Sequence, residues 1–291
     1  MEPERIAERV WPGGIRSLEP LGGGITNRNF KVTLLDGAQV VLRIGGKDTE
    51  LLGIDRDNEH AATRAAADAG LAPEVIAFVE PEGYLVTRFV GGRPVPVEEV
   101  RTTQALREIA GGLLRLHEGP AIPGRFDSFR VVEAYCATAT THGVAVPAGY
   151  TTAKDVADRI EQARGVQPPV PCHNDLLNAN FITDGARIWI VDWEYAGMGD
   201  RFFDLANFSI NHELSDDENE ELLRMYFGEV SEDDVRSLTL MRFMSDFREA
   251  MWGVVQQGIS ELDFDFADYA DSHFERLRAT AGDPAFREAL G

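Results

Sequence analysis

The chain reads as an α+β protein of two lobes, a β-rich first third followed by a mainly helical remainder. Three observations predict this. Short β-branched runs parted by glycine turns fill the chain to about residue 90. Helix-length segments dominate after a break at Val90-Gly-Gly-Arg-Pro94. One β-rich island, Val170 to Trp193, interrupts the helices. The expected division is residues 1–90 and 91–291, with the boundary near 89–94. At 291 residues, 44% hydrophobic and 26% charged, the chain can bury a substantial core.

In the first part, the run from Gly22 to Leu34, the turn Asp36-Gly37 and the run Gln39 to Ile44 predict antiparallel strands joined by a hairpin. From about Asp57 to Ala69 the residues are Ala-rich, charged and free of proline. They stop at Gly70 before Pro73, which predicts a helix with a glycine stop. Two more strand-like runs follow, Glu74 to Val79 and Tyr84 to Phe89. Beyond the break, Thr102 to His117 and Ser215 to Phe227 read as helices, and Arg187-Ile-Trp-Ile-Val191 as a short apolar strand ending at Asp192. No internal repeat or low-complexity tract is present.

The 49 acidic against 28 basic residues give a formal charge of -21. Such a balance repels phosphate backbones and anionic lipid, so neither nucleic acid nor membrane is an expected partner. It suits a soluble, salt-adapted surface and is compatible with a cationic substrate. Cys136 and Cys172 alone cannot build a disulfide framework or a zinc site, and a reducing cytoplasm fits. The first residues lack a signal-peptide pattern and no apolar run approaches about 18 residues, so a cytoplasmic location is expected.

The chemistry is concentrated in Pro171-Cys-His-Asn-Asp-Leu-Leu-Asn-Ala-Asn-Phe-Ile182. His173, Asp175 and Asn180 have the spacing of a kinase catalytic loop. Such a loop needs a carboxylate to accept the proton of an attacking hydroxyl, and an amide oxygen near the metal on the phosphates. Asp175 is the candidate base, with His173 as the ring that holds the loop. Asn180 and Asp192, the latter returning across a hairpin, are the candidate Mg2+ ligands. Any one of these residues alone also serves as a cap or an Asx-turn; their joint order carries the reading.

The turn Gly22-Gly23-Gly24 offers backbone N–H groups to nucleotide phosphates, as an ordinary hairpin turn also would. Asn27 stands where a final glycine would complete a protein-kinase loop, and no P-loop sequence occurs. Arg43 takes the place of a strand lysine, with Glu59 as its candidate helix partner.

These residues resemble the choline/ethanolamine kinases, within the aminoglycoside phosphotransferase and protein-kinase-like superfamily. The resemblance spans nearly the whole chain. It is carried by Gly22-Gly-Gly-Ile-Thr-Asn27, Val41-Leu-Arg-Ile-Gly45, Ile54-Asp-Arg-Asp-Asn-Glu59, Cys172-His-Asn-Asp-Leu176, Val191-Asp-Trp-Glu-Tyr-Ala196, Phe203-Asp-Leu-Ala-Asn207 and the stretch Trp252 to Tyr269. It implies a bilobal protein-kinase-like fold, with a five-stranded antiparallel N-lobe carrying one helix, a hinge near Thr87 to Val90 and a helical C-lobe. It further implies ATP between the lobes, touching Gly23, Gly24, Thr26, Asn27, Arg43, Glu59, Thr87 and Phe89, with Asp204 supporting the catalytic loop.

For the acceptor, the resemblance implies an aromatic and acidic pocket drawn from Tyr195, Glu194, Asn211, Glu249, Trp252 and Tyr269. Aromatic residues at helical positions also fill cores, and both readings of Tyr195, Trp252 and Tyr269 stand. Two departures bear on substrate: Glu249 stands where choline kinases often carry a second tryptophan, and Asn211 where an acidic residue is expected. The expected acceptor is a small amino alcohol of choline, ethanolamine or aminopropanol type. The alternatives are an aminoglycoside or sugar acceptor, and a non-catalytic pseudokinase, against which the intact Asp175, Asn180 and Asp192 set argues.

Overall fold

The computed structural model describes residues 3–22 and 27–291. Strands β1 (Ile15–Leu21), β2 (Asn27–Leu34), β3 (Gln39–Gly45), β4 (Val75–Val79) and β5 (Tyr84–Arg88) form one antiparallel sheet in the order β1-β2-β3-β5-β4. The hairpin between β2 and β3 closes as the sequence predicts. Gly37 turns at φ 91°, and the Ala38 N–H donates to the Asp36 carboxylate at 2.9 Å. Alternation along the strands puts Val32, Val40, Leu42, Ile44 and Val86 on one buried face.

That face is covered by Ile6 from helix α1 (Pro3–Val10), which corrects the expectation of a single helix in this lobe. The expected helix is α2 (Arg56–Asp68). Asp55 caps it by accepting from the Asn58 N–H at 2.9 Å, and Gly70 follows at φ 76°. Its buried residues are Glu59, Ala62, Thr63 and Ala66, so one carboxylate points inward with the alanines.

The remainder holds strand β6 (Arg93–Pro94) and helices α3 (Val97–Val100), α4 (Thr103–His117), α5 (Ser128–Thr141) and α6 (Gly149–Arg164). The island follows as β7 (Val170–Cys172), β8 (Phe181–Thr183) and β9 (Ile188–Ile190), with β10 (Gly197–Gly199) just beyond its expected end; the strands pair in two small sheets, β10-β7 and β6-β8-β9. The chain ends in α7 (Arg201–Asn211), α8 (Asp216–Phe227), α9 (Glu232–Ile259), α10 (Phe266–Gly282) and α11 (Pro284–Leu290).

Helix α9, 28 residues long, is the axis on which α5, α7 and α10 pack. Its start is fixed by a capping box in which Ser231 and Asp234 bond each other's backbone N–H. Among the described residues, no helix is long and apolar enough to cross a membrane.

Candidate active site

Strand β7 delivers the loop expected to be catalytic and α7 holds it. The Asp204 carboxylate, fully buried in the first turn of α7, accepts from the His173 N–H at 2.8 Å and the Asn174 N–H at 2.7 Å. It also meets His117 Nε2 at 3.1 Å, while Asn207, one turn on, accepts from the Leu176 N–H. Two carboxylate oxygens and one amide oxygen thereby fix three backbone N–H groups of the loop, those of His173, Asn174 and Leu176. His117, Cys172 and Asp204 lie together, but these bonds already account for the carboxylate.

His173 is wholly buried. Its Nδ1 accepts from the Asp175 N–H at 3.1 Å, so Nε2 carries the proton and donates to Val191 O at 3.1 Å. Burial pushes its pKa below the ordinary histidine value. With both ring nitrogens engaged by backbone, it ties the loop to the strand leading into Asp192 rather than exchanging protons.

Asp175 projects from this loop with 8% of its surface exposed. The Asn180 side-chain nitrogen donates to Asp175 O at 2.8 Å, which turns the amide oxygen the other way. The hairpin of β8 and β9 then brings the chain back: Val191 N–H donates to Asn180 O at 2.9 Å, and Asp192 follows at φ 68°. Asn174 stands at φ 66°; both are Asx residues, which tolerate the left-handed region. Asp175, Asn180 and Asp192 therefore converge on one edge of the island.

The sheet lobe meets that edge through ion pairs. Arg43 Nη1 bonds Glu59 at 2.7 Å and Asp192 Oδ1 at 2.6 Å. Arg56 Nη1 bonds Glu59 at 2.6 Å and Glu194 at 3.2 Å, and Asn27 Nδ2 donates to Glu194 at 2.9 Å. The sequence paired Arg43 with Glu59; the structure extends the pair across the lobes. Glu194 faces this network. Thr87 and Phe89 lie at the end of β5, where the Phe89 N–H donates to Gln39 O and Lys31 Nζ sits 4.5 Å from the Phe89 ring centre. Gly23, Gly24 and Thr26 lie outside the described residues.

On the other side of Asp175 stands a cluster from the island, α9 and α10. Trp252 Nε1 donates to the Tyr195 hydroxyl at 3.0 Å, the Tyr269 hydroxyl donates to Glu249 at 2.7 Å, and the Trp252 and Tyr269 rings meet edge to face at 5.6 Å. Four of the six expected acceptor residues thus form one unit. Asn211 does not join it: at the end of α7, its side-chain nitrogen is buried with no partner among the described residues. A cavity of about 400 Å³ lies beside Tyr195, lined by Leu52, Asp55, Asn58, Phe126, Glu194 and Ala196.

Sequence reasoning missed Arg248. It is 1% exposed, bonds Asp175 Oδ1 at 2.9 Å and Glu249 through the same Nη1, and lies 4.4 Å over the Tyr195 ring. It joins Asp175 to the cluster of Tyr195 and Glu249.

Residues 17–238 match the phosphotransferase enzyme family. A crystal structure of a choline/ethanolamine kinase family protein from Mesorhizobium loti is 32% identical, with a TM-score of 0.82 over 99% of this chain and 98% of that one. Protein LicA of Haemophilus influenzae is 25% identical over 267 residues, 85% of this chain and 75% of the relative. Mouse ethanolamine kinase 2 is 26% identical over 286 residues, 87% and 73% respectively.

Proposed function

The chain belongs to the phosphotransferase enzyme family, in its choline/ethanolamine kinase branch, and from that premise we propose magnesium-dependent phosphoryl transfer from ATP to a small amino alcohol. Asp175 takes the proton of the acceptor hydroxyl. The hydroxyl oxygen bonds to the terminal phosphorus as the bond to the bridging oxygen breaks, and ADP leaves. The single observation that carries this reading is the convergence of Asp175, Asn180 and Asp192 between the two lobes.

The residues fit a magnesium ion by donor chemistry. An amide oxygen and a carboxylate are hard ligands, Asn180 is held by its nitrogen, and Arg43 engages Asp192 through Oδ1 alone. When bound, the metal neutralises charge on the nucleotide phosphates. Arg43, tethered by Glu59, is the cation for those phosphates, and Asp204 keeps the loop rigid while the proton moves. The amino-alcohol acceptor is supported by what the relatives are named for and by the acidic, aromatic unit of Tyr195, Glu249, Trp252 and Tyr269.

The test is ADP release from ATP and magnesium across choline, ethanolamine, aminopropanol, sugars and aminoglycosides, with Asp175→Ala as control. Turnover of an amino alcohol that vanishes in the variant is the expected result. Turnover confined to sugars or aminoglycosides would keep Asp175 as base and overturn the acceptor. An absence of turnover with every hydroxyl would overturn the whole reading.

A further inference from the structure

The acceptor cluster contains its own cation. The Arg248 guanidinium lies on the Tyr195 ring, the kind of aromatic face a quaternary ammonium would need, with Nη1 bonded to Asp175 at 2.9 Å and to Glu249. Its other two nitrogens, Nε and Nη2, are buried and have no partner among the described residues. These two atoms form the side-on fork with which arginine grips a carboxylate. Elsewhere in the chain Arg101 uses the same pair, Nε at 3.0 Å and Nη2 at 2.8 Å, on Glu218. A desolvated, unpartnered fork beside the catalytic base is costly unless a ligand completes it.

We propose that Arg248 sets acceptor specificity: it holds the Tyr195 face as an internal cation and offers its Nε–Nη2 edge to an oxyanion. The acceptor is then an amino alcohol that also carries a carboxylate, not a quaternary ammonium alcohol. The fork lies within one guanidinium width of the atom bonded to Asp175, so the hydroxyl at the base and the carboxylate at the fork belong to one small molecule. The primary ammonium meets Glu249, whose carboxylate is already oriented by Tyr269 at 2.7 Å.

This inference rests on the phosphotransfer reading, and one experiment separates their failures. ADP release by the wild-type enzyme is measured with serine, homoserine, threonine, ethanolamine and choline, then repeated with Arg248→Lys, which keeps a cation but has no fork. A carboxylated acceptor exceeding choline by at least about 100-fold in kcat/KM is expected, with Arg248→Lys raising its KM by about 10-fold or more. Choline or ethanolamine as the best wild-type acceptor overturns the inference and leaves the phosphotransfer reading intact. An equal fall in kcat for every acceptor in Arg248→Lys also overturns it, because the fork would then serve the transferring phosphoryl group. No turnover with any acceptor overturns both readings. The wild-type panel decides the matter even if the variant does not fold.

Discussion

Burial and charge pull on Asp175 in opposite directions. Burial raises its pKa to about 7, helped by Glu249 and Asp192, while Arg248 draws it down. A base works ionised, so kcat/KM is expected to fall as pH is lowered through about 7. Asp175→Asn should lose about 10²–10⁴-fold in kcat while still binding nucleotide; a variant keeping a tenth of the activity would remove Asp175 from the role. His212 gives a stability counterpart. Buried between Phe181 and Phe208, with Nδ1 donating to Phe208 O at 2.8 Å, it is depressed from 6.5 to about 4. A depressed folded-state value means that stability is intact above 6.5 and is lost as pH falls toward 4. Denaturant titrations at pH 7.5 and 5 should differ by about 2 kcal/mol more in the wild type than in His212→Phe. The candidate set was legible as a group because His173, Asp175, Asn180 and Asp192 lie on one short stretch of chain at fixed spacing. Arg248 was not, because its partner is 73 residues away. A signal existed: Met244, Met251 and Val255 share its helical face and are buried, so the arginine falls on the core stripe.

At the scale of elements, α9 does two jobs, carrying the core of the helical lobe and presenting Arg248, Glu249 and Trp252 to the site. Its register against α10 is set at Gly253, where an added Cβ would lie 2.9 Å from the Tyr269 ring and 3.1 Å from Ala270 Cβ. Gly253→Ala should cost about 1–3 kcal/mol by forcing α10 outward. Because Tyr269 orients Glu249, it should also raise the acceptor KM more than it lowers kcat. Thermal melts and steady-state kinetics check both halves, and an unchanged KM would detach α10 from the acceptor site. Strands β2 to β5 and α2 were readable from alternation and from turn residues such as Asp36-Gly37 and Gly70, whereas β1 lies outside the runs that the residues pick out. Helix α1 was not, since its eight residues offer little beyond Ile6 and Ala7 to the core. The two small sheets built on the island have strands of two or three residues, too short for alternation to register, and they draw in β6 and β10 from outside it.

Across the whole molecule, two kinds of electrostatics compete. The lobes are joined by Arg43 and Arg56, each shared between two carboxylates with side chains no more than 17% exposed. Pairs this shielded respond weakly to dissolved ions. The surface is the opposite case: a formal charge of -21 distributed over 291 residues repels itself, and that repulsion acts through solvent. Raising sodium chloride from about 0.1 M to about 1 M shortens the screening length from about 10 Å to about 3 Å. The exposed acid excess is thereby relieved while the lobe-joining pairs persist. The melting temperature should therefore rise across that range, and it should rise less in variants with surface aspartates and glutamates replaced by their amides. A melting temperature that fell with salt would mean that attractive pairs, and not the acid excess, govern the stability of the fold.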